Sequence, residues 1–226
     1  MTRTTDSPPD IARPDVGAIL VNRWYVGTAE RQRAGAEALV AEWERTPWPD
    51  GFLSVSCLLS GDADTVVTYA QWTSDDAHRA LSESQPPRPR ATAAGAILEP
   101  AEPVRYRLRR SVVAPGTPQD VGCIVIPTFD VDGPERQRHI IGVVAGPDDS
   151  EPEAVPGLIS AHLHASTDGT RVINYAEWTD EDAHQRMIDA TPTNDQAQWR
   201  NEITGTAGIR FTGYKRFHLY RTLTNP

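Results

Sequence analysis

The decapeptide YAQWTSDDAH at residues 69–78 returns as YAEWTDEDAH at residues 175–184, identical at seven of ten positions and swapped only between polar residues at the rest. Two further landmarks keep the same order and nearly the same spacing. ERQR at residues 30–33 recurs at 135–138, and GFLS at Gly51 recurs as GLIS at Gly157, so the three offsets are 105, 106 and 106. Solenoid units repeat every 20–50 residues or so, whereas a period above 100 matches a whole domain. The 226-residue chain is therefore expected to hold a duplicated domain. The Pro- and Gly-rich APGTPQD at 114–120 is the natural linker between a first domain at 16–113 and a second at 121–226. The polar, Pro-containing residues 1–15 are expected to be a disordered leader.

Each copy can be read with the other as a control. GAILVNRWYV from Gly17 and GCIVIPTFDV from Gly122 are β-rich apolar runs and open each copy as a strand. Thr28 is placed to cap a helix over AERQRAGAEALVAEW, and Pro134 suits a first helical turn in the second copy, where Gly146-Pro147 ends the helix early. FLSVSCLLS and LISAHLHAS read as second strands, joined by Gly/Asp turns to TVVTYAQW and RVINYAEW. Thr73 and Thr179 then begin T-x-x-D boxes, with Asp76 and Asp182 at the third position, that open a second helix. VRYRLRRSVV and YKRFHLYRTL close the copies as strands. The order β-α-β-β-α-β is the ferredoxin-like arrangement, so the expected class is α+β. Two helices cover only one face of such a sheet. A second copy in the same chain can cover the other, giving two domains packed sheet to sheet as a monomeric pseudo-dimer, open to further homo-oligomerisation.

Composition closes several doors. No apolar run is long enough to span a bilayer, and a formal charge of −9 argues against a nucleic-acid partner. Cys57 and Cys123 fall at different places in their repeats and read as buried strand thiols, which suits the cytoplasm. There is no Gly-rich phosphate loop, no G-x-S-x-G and no C-x-x-C.

Alternation along the third strand of the second copy puts Val172, Asn174, Ala176 and Trp178 on one face. An amide and an indole N–H beside a small alanine make a polar feature suited to a flat aromatic ligand with one reactive oxygen. A core tryptophan and a turn asparagine explain the same pattern without function. In the first copy the face carries Val66, Thr68, Ala70 and Trp72, while strand 1 has Asn22 in the first copy against Pro127 in the second. His162 and His164 share a face as H-x-H without an obvious third ligand nearby, and are expected to face solvent. His184 borders the apolar side of the second helix, where it can serve as a general base or simply as structure shared with His78. Arg105, Arg107 and Arg109 form a row that steers an anion or is solvated and ion-paired.

NYAEW followed by T-D-E-D-A-H at a helix start resembles the antibiotic biosynthesis monooxygenase family, of dimeric α+β barrel fold, over roughly 17–113 and 122–223. The resemblance implies a cofactor-free oxygenase whose partners are a small aromatic substrate and O2. Members acting on aromatic polyketides carry an Asn and a Trp four residues apart on this strand, matching Asn174 and Trp178, and some use an Asn on strand 1, matching Asn22. Asn174, Trp178 and His184 are the expected catalytic groups, and Tyr175, Asn22, Trp72 and Thr68 are expected to contact substrate. Neither copy holds both asparagines with the tryptophan, which favours the second as the active one. Heme-degrading relatives need a histidine about ten residues after the Trp, where this chain has Ser82 and Ile188, so no heme or metal is expected. A non-catalytic binding module, and a cyclase or isomerase on the same fold, are the rival readings.

Overall fold

The computed structural model describes residues 3–84, 97–98, 102–116, 120–146, 154–190, 201–203 and 205–224. The chain divides into two units, residues 1–106 with 217–226, and residues 107–216. No helix among the described residues is long and apolar enough to cross a membrane.

The first unit contains β1 (Arg3–Thr5), β2 (Ala18–Tyr25), α1 (Ala29–Arg45), β3 (Phe52–Ser60), β4 (Thr65–Trp72) and α2 (Asp75–Ser84). It also takes the start of β5 (Val104–Val113) and the second half of β9 (Ile209–Thr224). Its strands run β1-β9-β3-β4-β2-β5, all antiparallel at the registered pairs. Helix α1 buries Ala36, Leu39 and Val40 against Ala18, Leu20, Val66 and Trp72, so the even-numbered positions of β2 and β4 face the helices. Phe52 anchors this side with its ring 4.5–4.6 Å from those of Trp43, Trp48 and Trp72.

The second unit repeats the plan with β6 (Cys123–Val131), α3 (Pro134–Ala145), β7 (Leu158–Ser166), β8 (Arg171–Trp178), α4 (Glu181–Asp189) and the first half of β9. Strands run β7-β8-β6, with β9 beside β6. Helix α3 packs Ile140 and Ile141 on Phe129, Leu163 and Val172, while α4 packs Ala183 on Cys123, Val125, Ala176 and Trp178. Each repeat is thus a ferredoxin-like β-α-β-β-α-β fold. Cys57 and Cys123 are free and buried, and burial pushes the Cys57 thiol up to about 12.

The recurring ERQR has a structural cause. Its glutamine is buried in both copies: Gln32 Nε2 donates to the carbonyls of Ser60 and Thr65 (3.1 and 2.8 Å), and Gln137 Nε2 to those of Ser166 and Arg171 (2.9 Å each). One helix side chain thus pins both ends of a hairpin turn. Gln137→Leu leaves those carbonyls short of a donor, so denaturant unfolding is expected to show a loss of about 1–3 kcal/mol. A loss below about 0.5 kcal/mol, the scale of an ordinary surface change, would count against this role.

Three expectations are corrected. The leader is ordered where described: residues 3–5 pair with β9 at residues 222–224, Ile11 is buried, and Asp10 O accepts from Gln71 Nε2 at 2.8 Å. One apolar anchor and backbone pairing suffice, and a composition average does not register them. The caps fall one residue later than the T-x-x-D boxes predict. Asp180 accepts from Ala183 N (2.6 Å) and Ser74 Oγ from Ala77 N (3.1 Å), and Asp180 has the extended backbone of an N-cap. His162 and His164 are buried rather than solvent-facing. His162 Nδ1 meets Ser111 Oγ at 2.8 Å, and His164, fully enclosed, is held neutral with its pKa lowered to about 3 by burial and then by His162. Among the described residues no cluster of three or more His, Cys, Asp or Glu is placed to hold a metal ion. Linker residues 117–119 lie outside the described residues.

Candidate functional site

Strand β8 presents Val172, Asn174, Ala176 and Trp178 to the helices, since Val172 packs with α3 and Ala176 and Trp178 pack with α4. Asn174 is 8% exposed and Trp178 3% exposed, yet Asn174 Oδ1 and Trp178 Nε1 have no hydrogen-bond partner among the described residues. A buried polar atom left unpaired costs about 1–3 kcal/mol, so two of them on one strand face four residues apart are an expense that packing does not require. The amide can turn to offer an acceptor or a donor, while the indole offers only a donor. Together they suit a ligand edge that carries a hydroxyl beside a carbonyl or enolate oxygen.

Helix α4 adds His184, which lies edge-on to Trp178 with ring centroids 5.0 Å apart and edge-on to Tyr214 at the same distance. Arg216, from β9, donates Nε–H to His184 Nδ1 at 3.0 Å and Nη2–H to Gln185 Oε1. Burial and then the Arg216 guanidinium lower the His184 pKa to about 4, against the opposing pull of Glu181. The imidazole is therefore neutral at pH 7 with its proton on Nε2, a donor rather than the general base that the sequence suggested. The sign follows from the lowered value. The folded state favours neutral His184, so its contribution to stability is present above the unfolded value near 6.5 and is lost as pH falls through about 4. An NMR titration should find the His184 midpoint near pH 4, and Arg216→Gln should move it upward. A wild-type midpoint at 6 or above, near the unperturbed histidine value of about 6.5, would contradict this geometry.

The first unit repeats the device. Trp72 and His78 are edge-on at 5.1 Å, and Arg105 Nη2 lies 3.3 Å from His78 Nδ1. Burial, then Arg105, lower the His78 pKa, with Asp75 opposing. Sequence reading left this arginine in a row of strand charges. Arg105 and Arg216 differ in position by 111 residues rather than 106, so the repeat offset does not align them. A shared strand arginine aimed at the helix-2 histidine was the available signal.

Of the other expected contacts, Thr68 and Trp72 share the helix side of β4, and Asn22 stands directly opposite Thr68 on β2 with Oδ1 buried and unpartnered among the described residues. Tyr175 is not brought to this place: it points from the opposite face of β8, fully buried and paired in register with His162. Alternation assigns it there, so its expected substrate contact is corrected. A groove of about 490 Å3 lies at the far end of β6 and β8, lined by Asp130, Asp132, Arg171 and Arg210 among others. Its Asp130 already pairs with Arg171 and Arg210. The orphaned atoms of Asn174 and Trp178, not this ion-paired groove, mark the candidate site.

This is a ferredoxin-like fold with an amide oxygen and an indole N–H buried between sheet and helices. No family model matches the chain. It is similar to tetracenomycin-F1 monooxygenase of Streptomyces glaucescens, 37% identical over 59 residues, which are 26% of this chain and 52% of the relative. The chain thus spans about half the length of the curated relative it matches. Among solved structures, an anthrone oxidase-like protein shares the fold over 92% of this chain and 93% of its own, with a TM-score of 0.72 at 15% identity. A monooxygenase from the gene ActVA-Orf6 of Streptomyces coelicolor, crystallised with nanaomycin D, is 34% identical over 47% of this chain and 88% of its own. Its TM-score is 0.36, so that likeness counts as sequence only. The chain is thus similar in sequence to a monooxygenase over part of its length, and in fold to an anthrone oxidase-like protein over nearly all of it.

Proposed function

We propose that the chain is a cofactor-independent monooxygenase that oxidises a polycyclic aromatic of the anthrone or phenol type with O2, using chiefly the site in the second repeat. The observation that carries the reading is the pair of buried, unpartnered atoms, Asn174 Oδ1 and Trp178 Nε1, on the helix side of β8. Tetracenomycin-F1 monooxygenase, and the relative crystallised with nanaomycin D, support the ligand class and the use of O2.

In this reading an acidic ring methylene loses a proton, and the resulting carbanion passes one electron to O2. The radical pair joins as a hydroperoxide, and loss of water leaves a quinone carbonyl, so one O2 gives one carbonyl and one water. The protein holds the ring flat, excludes water and stabilises the anion through aimed donors in a dry site. The Trp178 indole N–H donates to the enolate oxygen, Asn174 binds the neighbouring oxygen, and neutral His184 braces the tryptophan. Sheet-to-sheet packing of the two repeats, as a single-chain counterpart of a dimeric α+β barrel, belongs to the same proposal, and small-angle scattering from single chains tests it.

The direct experiment follows oxygen uptake and quinone absorbance together, using metal-stripped protein and a simple anthrone without flavin. Trp178→Phe keeps the ring and removes the donor, and is expected to slow turnover about tenfold or more, roughly 1.4 kcal/mol of barrier. Wild-type uptake equal to the uncatalysed rate across a panel of anthrones would sink the oxygenase reading and leave a binding module. O2-independent product formation would instead point to a cyclase or isomerase.

A further inference from the structure

The structure assigns a separate reactive site to the second unit: Ser111 as a nucleophile toward acyl esters, with His162 as its base and Glu177 behind the ring. Glu177 projects from the face of β8 opposite Asn174 and Trp178, so this site does not depend on the functional reading above. Ala114 N donates to Ile159 O at 2.9 Å, a register that sets Ser111 of β5 opposite His162 of β7. Ser111 is exposed, and its Oγ lies 2.8 Å from His162 Nδ1. On the far side of the ring His162 Nε2 is 3.9 Å from Glu177 Oε2, and that oxygen accepts from Ser160 Oγ at 2.6 Å. Only 7% of the His162 side chain and 12% of the Glu177 side chain are exposed, so a proton gained by the ring is felt by the carboxylate with little screening.

The first unit supplies the control. At the repeat positions of His162, Ser160 and Glu177 it has Ser56, Ser54 and Gln71, and Thr222 stands opposite Ser56 as Ser111 stands opposite His162. The hydrogen bonds recur there, with Ser56 Oγ 2.8 Å from Thr222 Oγ1 and Ser54 Oγ donating to Gln71 Oε1 at 2.7 Å. All four residues are at most 1% exposed, and β1 pairs with β9 at Thr222. Hydroxyls and an amide therefore suffice for this part of the sheet. The second unit keeps the contacts, puts an imidazole and a carboxylate in place of a hydroxyl and an amide, and leaves the outer hydroxyl open to solvent. Packing calls for none of these changes, and an activated serine calls for all of them.

With its proton on Nε2 toward Glu177, His162 turns the Nδ1 lone pair to Ser111. The ring nitrogens serve in the reverse sense of the usual serine triad, with the same proton count, and such a constellation is defined by geometry rather than by a G-x-S-x-G turn. Ser111 Oγ attacks the acyl carbonyl as its proton passes to Nδ1, and Glu177 steadies the imidazolium. The ester C–O bond breaks and the proton returns to the leaving alcohol. Water then attacks the acyl-serine through the same base, so one ester and one water give one alcohol and one acid.

The test treats the full chain with a fluorophosphonate, which loses fluoride to an activated serine oxygen, and locates the label by peptide mass. Turnover of p-nitrophenyl acetate is followed in parallel. One label per chain is expected, on Ser111, and none in Ser111→Ala. His162→Ser and Glu177→Gln each copy the first unit's residue into the second. His162→Ser should slow labelling about 100-fold or more, the scale of a lost general base. Glu177→Gln acts through the ring, so it should lower kcat about tenfold or more, the effect of removing a charge about 4 Å from a base, and leave KM unchanged. It also carries the test should His162→Ser unfold. Label on residues other than Ser111, or equal labelling in wild type and both variants, would overturn the site. Ser111→Ala should oxidise an anthrone at the wild-type rate, and a loss there would overturn the separation of the two sites. Labelling of Ser111 in a chain that oxidises no anthrone would sink the oxygenase reading and leave this one standing.

Discussion

Replacing Asn174 by leucine should slow anthrone-dependent oxygen uptake about 100-fold and at the same time make the ligand-free protein harder to unfold. The two effects have one origin. Asn174 is 8% exposed with its Oδ1 unpaired among the described residues, so the folded protein carries a desolvated amide oxygen without a donor there. Leucine has a similar volume and no polar atom, and removing an unpaired buried group relieves about 1–3 kcal/mol. In the proposed reaction the same amide is paired only when substrate is present, and loss of one aimed polar group in a dry site costs about 10²–10³ in rate. A residue kept for packing alone predicts the reverse: a stability change of either sign with turnover unaffected. Denaturant melts beside oxygen-electrode rates separate the cases, and a variant that is both less stable and fully active would remove Asn174 from the site.

Gly157→Ala is expected to destabilise the second unit by about 2–4 kcal/mol. A Cβ built there would stand 2.4 Å from Ala183 Cβ and 3.0 Å from Thr179 Oγ1, and the backbone at φ +84° is one that side chains resist. The left-handed backbone accounts for about 1–2 kcal/mol and the overlap for about 1–3 kcal/mol. Gly51 sits the same way against Thr73 and Ala77 at φ +74°, which explains why GFLS and GLIS recur with their glycine. The contact seats the first turn of α4, next to His184, so the variant should also lose turnover. Adding Ala183→Gly should restore the steric share and not the backbone share. Full recovery in the double variant would falsify this division.

The β-α-β-β-α-β order was legible because both strand alternation and the repeat report on it, and each copy checks the other. The face of β8 was legible for the same reason: a period of two cannot place Asn174 and Trp178 on opposite sides. Burial of the opposite face was harder to read. His162, His164 and Tyr175 are enclosed there, and polar types on a strand normally signal solvent. Arg216 escaped notice, and Arg105 was read only within its row of charges, because β5 and β9 are entered through segments of different length, which shifts Arg216 out of the repeat register. Asp180 and Ser74 were missed as caps because threonine at the preceding position satisfies the same pattern, and only backbone angles choose between neighbours.

The last strand also sets the order in which the protein can be completed. Residues 217–224 belong to the first unit, where Leu223 is fully buried and stands in register with Val55. During synthesis the first hundred residues therefore emerge with β3 still lacking a neighbour, and that edge stays open until the ribosome has made the far end of the chain. Contacts so distant along the sequence are slow to close and leave strand edges exposed to other chains meanwhile. A chain cut before residue 217 thus keeps every residue of the second unit and leaves the first incomplete.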